Sequence, residues 1–242
     1  MNNYIAEIER YLGHFEKEIS QVKSLQVADG YHAAIYKKMI YVGILDALSK
    51  CFPRRGSRNR FVNFLNQFSG WDNAHKISLP HLFQLLEKNP EPAFSKLRAY
   101  VISELEKWVS GEIVTLDREP EISTIKQLWP KEKEHQKPLN GLSAESLQHC
   151  NLFYSYRNSL IHEFRELGRG IESQTDNSPY YISYSDFEEP EEEVWELTYP
   201  ATFFEKLLKN CISEMKIYLM QNKINPYSSY HFGTYWIDEL NT

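Results

Sequence analysis

Arg157-Asn158-Ser159-Leu160-Ile161-His162 places a guanidinium, a small amide and an imidazole within six residues, and this spacing occurs once in the chain. Those three groups are what metal-free cleavage of RNA needs. An imidazole with an ordinary pKa of about 6.5 can take a proton from the ribose 2′-hydroxyl or give one to the leaving oxygen. A guanidinium can hold the phosphate through paired donors and stabilise charge that builds up in the transition state. Asn158 precedes His162 by one helical turn, where it can orient the imidazole or contact the phosphate. Because the attacking hydroxyl belongs to the substrate, the expected substrate is RNA rather than DNA and the expected product carries a 2′,3′-cyclic phosphate.

These residues need a rigid support, and the surrounding periodicity predicts a helix. At about 100° per residue, Phe153, Tyr156, Leu160, Phe164 and Leu167 fall on one face, which must bury itself. Asn158, His162, Arg165 and Arg169 share the opposite face. Ser143 is positioned to cap this helix, and Gly168 and Gly170 lie where it is expected to end. Arg165 and Arg169 then sit one and two turns beyond His162, either extending a phosphate track or simply carrying exposed charge near a helix C-terminus that favours cations. Arg157 lies about 140° from His162 around an ideal helix, so within one chain only its long side chain could bring the two together. Two copies meeting across this face would present His162 and Arg157 twice to one cleft.

Here the chain resembles the HEPN superfamily, helical ribonuclease and nucleotide-binding domains marked by an Arg, a polar residue after it, and a His four to six residues beyond the Arg. The match rests on Arg157, Asn158 and His162, with the segment 143–221 compatible in outline. The resemblance implies an all-helical bundle that dimerises around the motif helices and cleaves RNA without metal or cofactor, often as a toxin or in defence against phage. It also implies an antitoxin or other protein partner. The competing reading is a non-catalytic, dimerising adaptor or nucleotide-sensing module in which the same residues bind phosphate or hold the interface.

The rest of the chain is read as mainly α, a single elaborated helical domain over 1–242 with a small inserted β-hairpin near residues 180–199. Ile5, Ile8, Leu12, Phe15, Ile19 and Val22 form one amphipathic stripe. The run from Tyr31 to Cys51 is apolar on most sides and predicts a buried central helix. Arg54 to Arg60 makes a connector with four arginines, more readily a solvated loop than a phosphate grip. Phe94, Leu97, Val101, Leu105 and Trp108 mark another amphipathic helix. Tyr180 to Tyr184 and Val194 to Tyr199 alternate as two strands across an acidic turn. Phe204, Leu207, Leu208, Cys211, Ile212, Met215 and Leu219 give the last helix a wide apolar face. The aromatic tail from Asn225 to Thr242 is expected to lie on the body or on a partner.

With 42% hydrophobic and 25% charged residues the composition is that of a folded globular protein. The net charge of −6 provides no general field for polyanions, so a nucleic-acid site has to be local. Cys51, Cys150 and Cys211 are isolated and odd in number, which suits reduced thiols in a cytoplasmic protein. No export signal or membrane-spanning run is visible. A phosphate-binding Gly-rich loop, a Gly-x-Ser-x-Gly elbow and a His-Glu-x-x-His pair are all absent from the sequence, and no metal site is expected. Gly56-Ser57 is not followed by the paired carboxylates of a nucleotidyltransferase, since Asp72 is followed two places on by Ala74.

Overall fold

A computed structural model describes residues 4–52, 56–133, 139, 141–169, 172, 177–185 and 193–228. The chain is mainly α. Among the described residues there are eight α-helices: α1 (Tyr4–Ser24), α2 (Gly30–Ser49), α3 (Ser57–Phe68), α4 (Leu79–Glu87), α5 (Ser95–Leu105), α6 (Ile122–Leu128), α7 (His149–His162) and α8 (Ala201–Asn222). Three strands, β1 (Val114–Thr115), β2 (Tyr180–Ser185) and β3 (Glu193–Thr198), form an antiparallel sheet in the order β1-β2-β3. Two compact units result: Met1–Gly70 with Phe204–Thr242, and Trp71–Phe203. The segment 143–221, which carries the resemblance, therefore contributes to both.

The first unit is a helical bundle. Its α1 buries Ile8, Tyr11, Leu12, Phe15, Ile19 and Val22, as the three-four spacing requires, while Ile5 at the frayed end stays exposed. Asp29 caps α2 by accepting from the Tyr31 N–H at 2.9 Å. Helix α2 is less buried than the central helix expected from a run apolar on most sides. Ile35, Tyr41, Val42, Leu45 and Leu48 are buried, but Tyr31, Tyr36 and Ile40 face solvent. Phe52, Phe68 and Tyr218 pack ring against ring at 4.8–5.6 Å between centroids, fixing α8 beside α3. Asn210 of α8 caps the end of α3 by donating to the Ser69 carbonyl at 2.9 Å.

Of the basic connector, Arg54 and Arg55 lie outside the described residues, and Arg60 is used internally. Its guanidinium meets Asp46 at 3.7 Å and the Ser49 hydroxyl at 3.2 Å. The start of the aromatic tail does lie on the body, since Tyr227 packs edge-on against Tyr11 at 5.7 Å with Arg10 over its ring at 4.6 Å. Residues 229–242 are outside the described residues.

The second unit holds α4 to α7, the sheet and the first turn of α8. Strands β2 and β3 pair as the alternation predicts, with Tyr180 opposite Thr198 and Tyr184 opposite Val194; the acidic turn between them, 186–192, lies outside the described residues. The third strand, β1, was not expected. Val114 pairs with Tyr181 and Thr115 with Tyr180, too short a run to show alternation in the sequence. Trp71 sits between Phe203 and Phe153 at 5.0 and 5.8 Å, and Phe153 reaches Tyr199 at 5.2 Å. This aromatic core holds α7 against the start of α8. No helix among the described residues is long and apolar enough to cross a membrane.

Candidate functional site

Helix α7 is built as its buried face dictates: Phe153, Tyr156 and Leu160 are buried, with exposures of 0–4%. Both ends depart from expectation. Ser143 forms a capping box with Ser146, but the box closes a separate 3₁₀ turn over Ala144–Leu147, and α7 starts only at His149. The helix stops at His162 rather than near Gly168. Two side chains of the buried face catch the chain as it turns back. The Ser159 hydroxyl donates to the Arg165 carbonyl at 3.0 Å, and the Tyr156 hydroxyl donates to the Glu166 carboxylate at 2.5 Å. Burial and the adjacent carboxylate push the Tyr156 hydroxyl pKa well up, which keeps it a donor. The turn itself is made at Phe164, in a left-handed conformation with φ 55°.

This ending corrects the placement of four residues. Arg165 and Arg169 are not further turns of the motif helix, so they do not extend its polar face. Arg165 instead pairs with Glu163 at 2.5 Å, and Arg169 lines a small recess with Tyr184, Val194 and Glu196. Phe164 and Leu167, expected on the core stripe, are exposed at 70% and 36%.

The three motif residues are placed as follows. Arg157 is half-buried and donates through Nη1 to the Asn158 Oδ1 at 2.9 Å, with its guanidinium over the Tyr154 ring at 5.8 Å. His162 is the last residue of α7 and is exposed; its imidazole has no hydrogen bond among the described residues. The structure thus joins Arg157 to Asn158 directly, whereas His162 stands one turn from Asn158 on the same face. The arrangement offers an accessible proton-transfer group and a guanidinium whose planar fork is held by neighbours on two sides.

A second polar constellation, invisible to local sequence reading, lies at the other end of α7. The side chains of His149 and Glu119 are both 0% exposed and hydrogen-bond through Nε2 and Oε2. Glu119 Oε1 also accepts from the Leu79 N–H at 3.0 Å. Nearby, the Ser78 hydroxyl lies 2.7 Å from His81 Nδ1 and 2.6 Å from the Tyr181 hydroxyl. Burial, reinforced by His149, pushes the His81 pKa down to about 4, and burial raises the Tyr181 and Tyr199 hydroxyls. The cluster's members, Ser78, His81, Glu119, His149 and Tyr181, are dispersed over about a hundred residues and share no local pattern. Glu119, His149 and Ser78 are buried, so the cluster ties the start of α7 to the segment before α4.

Among the described residues no three His, Cys, Asp or Glu side chains are grouped to hold a metal ion. The three cysteines are buried and none forms a disulfide, and burial pushes the Cys51 thiol up to about 12, which removes it from nucleophilic chemistry. No family model, curated protein or solved structure matches this chain.

Proposed function

We propose that the chain is a metal-independent endoribonuclease of HEPN type that acts as a homodimer through α7, with Arg157, Asn158 and His162 as its reacting set. The observation that carries this reading is the exposed imidazole of His162 on the same face as Asn158, which itself holds Arg157 at 2.9 Å. The ribose 2′-oxygen attacks phosphorus, the bond to the 5′-oxygen breaks, and the products are a 2′,3′-cyclic phosphate and a 5′-hydroxyl end. One imidazole takes the 2′ proton and another delivers a proton to the leaving oxygen, so the two copies of His162 in a dimer fill both roles. Arg157 neutralises the charge on the phosphate oxygens. A toxin or phage-defence role, and a partner protein that restrains it, accord with such an activity.

The test is incubation of the purified protein with single-stranded RNA in EDTA. Cleavage with cyclic-phosphate ends is expected, and His162→Ala should lower the rate at least about 100-fold. Since His162 is exposed, that substitution should leave the melting temperature nearly unchanged. His162→Ala cleaving as fast as the parent would refute the proposal. The half-buried position of Arg157, tied to Asn158 and Tyr154, favours one other reading, a non-catalytic dimerising adaptor or nucleotide-sensing module. Intact dimers that bind nucleotide and never cleave RNA would establish it.

A further inference from the structure

Between α4, α5 and β3 the second unit has a trough of about 380 Å³, walled by Phe83 of α4, Ile102 and Leu105 of α5, and Val194 and Trp195 of β3. Ile102 is 38% exposed and the other four are only half-buried, so apolar side chains from three elements converge on water. Their supports are firm, since Leu97 and Val101 anchor α5 in the core and Trp195 packs edge-on against Trp108 at 5.1 Å. Two carboxylates edge the same trough, Glu106 from α5 and Glu193 from β3, and among the described residues neither has an ion-pair partner. Lys107, the cation next to Glu106 in sequence, is taken by Glu104 at 2.6 Å. In sequence Glu193 follows directly on Asp186, Glu188, Glu189, Glu191 and Glu192, with no basic residue between them.

We infer that this trough is the docking site for a segment of a partner protein that carries apolar side chains flanked by lysine or arginine. The walls call for apolar contact and the unpaired carboxylates at the edge call for cations. Nucleic acid and an anionic membrane surface would both be repelled by Glu106 and Glu193. A second copy of this chain, meeting the first trough to trough, would bring Glu106 and Glu193 of both copies together on chains that each carry −6. A small organic cation fits the charge but not the shape, because pocket ligands bury most of their surface and this trough lies open along the exposed Ile102, Glu106 and Glu193. A chain segment instead lays one face on the walls and leaves its polar back in water. None of Arg157, Asn158 and His162 lines the trough, so the inference does not rest on the ribonuclease reading.

The experiment uses the full chain and fluorescein-labelled helical peptides read by anisotropy: one of leucine and lysine at amphipathic spacing, the same peptide with glutamate for lysine, and the same peptide with serine for leucine. Only the leucine–lysine peptide should bind. Glu106→Lys should weaken that binding about 10-fold and Ile102→Gln about 5-fold. Glu18→Lys, the same charge reversal at an exposed position of α1 in the other unit, should change it less than about twofold. Ile102 and Glu106 are exposed, so both trough variants should melt with the parent, and their loss of binding cannot come from unfolding. If the leucine–lysine peptide does not bind, the inference is overturned. It is overturned equally if the serine–lysine peptide binds as well, or if Glu18→Lys weakens binding as much as Glu106→Lys, since either result reduces the attraction to general acidity. Displacement of the peptide by micromolar phenethylammonium would make the trough a small-molecule pocket and overturn it likewise.

Discussion

Replacing Glu119 by alanine removes the acceptor of two buried donors at once, the Leu79 N–H and His149 Nε2. Leaving a buried polar group unsatisfied costs about 1–3 kcal/mol each, so the expected loss is about 4 kcal/mol, a large share of the ~5–15 kcal/mol that holds a domain together. Glu119→Gln keeps an acceptor for Leu79 and should lose about half as much. The double replacement Glu119→Leu with His149→Phe removes the charge-bearing pair altogether and should recover much of the loss, as apolar substitutes for buried pairs often do. Tryptophan fluorescence during urea unfolding reads mainly the relevant unit, because Trp71, Trp108, Trp129 and Trp195, four of the five tryptophans, belong to Trp71–Phe203. Glu119→Ala within about 1 kcal/mol of the parent, or a double variant worse than both singles, would refute the reasoning, since either would mean the carboxylate is dispensable inside the fold.

Acid should destabilise the same unit through His81. Its pKa falls from 6.5 to about 4 on folding, so between those values the unfolded chain binds a proton that the folded unit refuses. Stability therefore drops as pH falls through this window and stops dropping from this source below about 4; the half-buried ring makes about 3 kcal/mol an upper limit. Urea midpoints from pH 7.5 to 4.5 should fall more steeply for the parent than for His81→Gln, and equal slopes would remove His81 as the cause. Gly168→Ala should cost about 1–2 kcal/mol, because Gly168 has φ 78° and a Cβ there would stand 2.5 Å from the Glu196 carboxylate. A thermal melt unchanged from the parent would show that this turn readjusts freely.

Where a local pattern decided the structure, it was readable in the sequence. The α1 stripe, the apolar face of α8, the pairing of 180–185 with 193–198, and the burial of Phe153, Tyr156 and Leu160 each follow from a period of 3.6 or 2. The end of α7 did not. Periodicity continued to place Phe164 and Leu167 on the core stripe, and the first glycine stood at Gly168, yet the helix stops at His162 because Ser159 and Tyr156 bind the returning chain through side-chain hydrogen bonds. Such bonds carry no periodic signature. The pairing of Glu119 with His149, 30 residues apart, and the short β1 strand depend likewise on contacts that only the folded chain creates.

The two histidines that bound α7 are treated oppositely, and that contrast bears on how the candidate site works. His149 is sealed and fixed by Glu119, while His162 is exposed at the far end, about 20 Å along the axis at 1.5 Å per residue. A group used in proton transfer gains from a backbone that does not move, and here the rigidity comes from the helix's buried end and its face of Phe153, Tyr156 and Leu160. On the proposed ribonuclease reading, loosening His149 by Glu119→Gln should reduce RNA cleavage although Glu119 lies at the other end of α7 from His162, and the reduction should scale with the stability lost. If cleavage instead survives a Glu119→Gln substitution that has measurably destabilised the unit, the position of His162 is set by the turn at Phe164 and not by the anchored end of the helix.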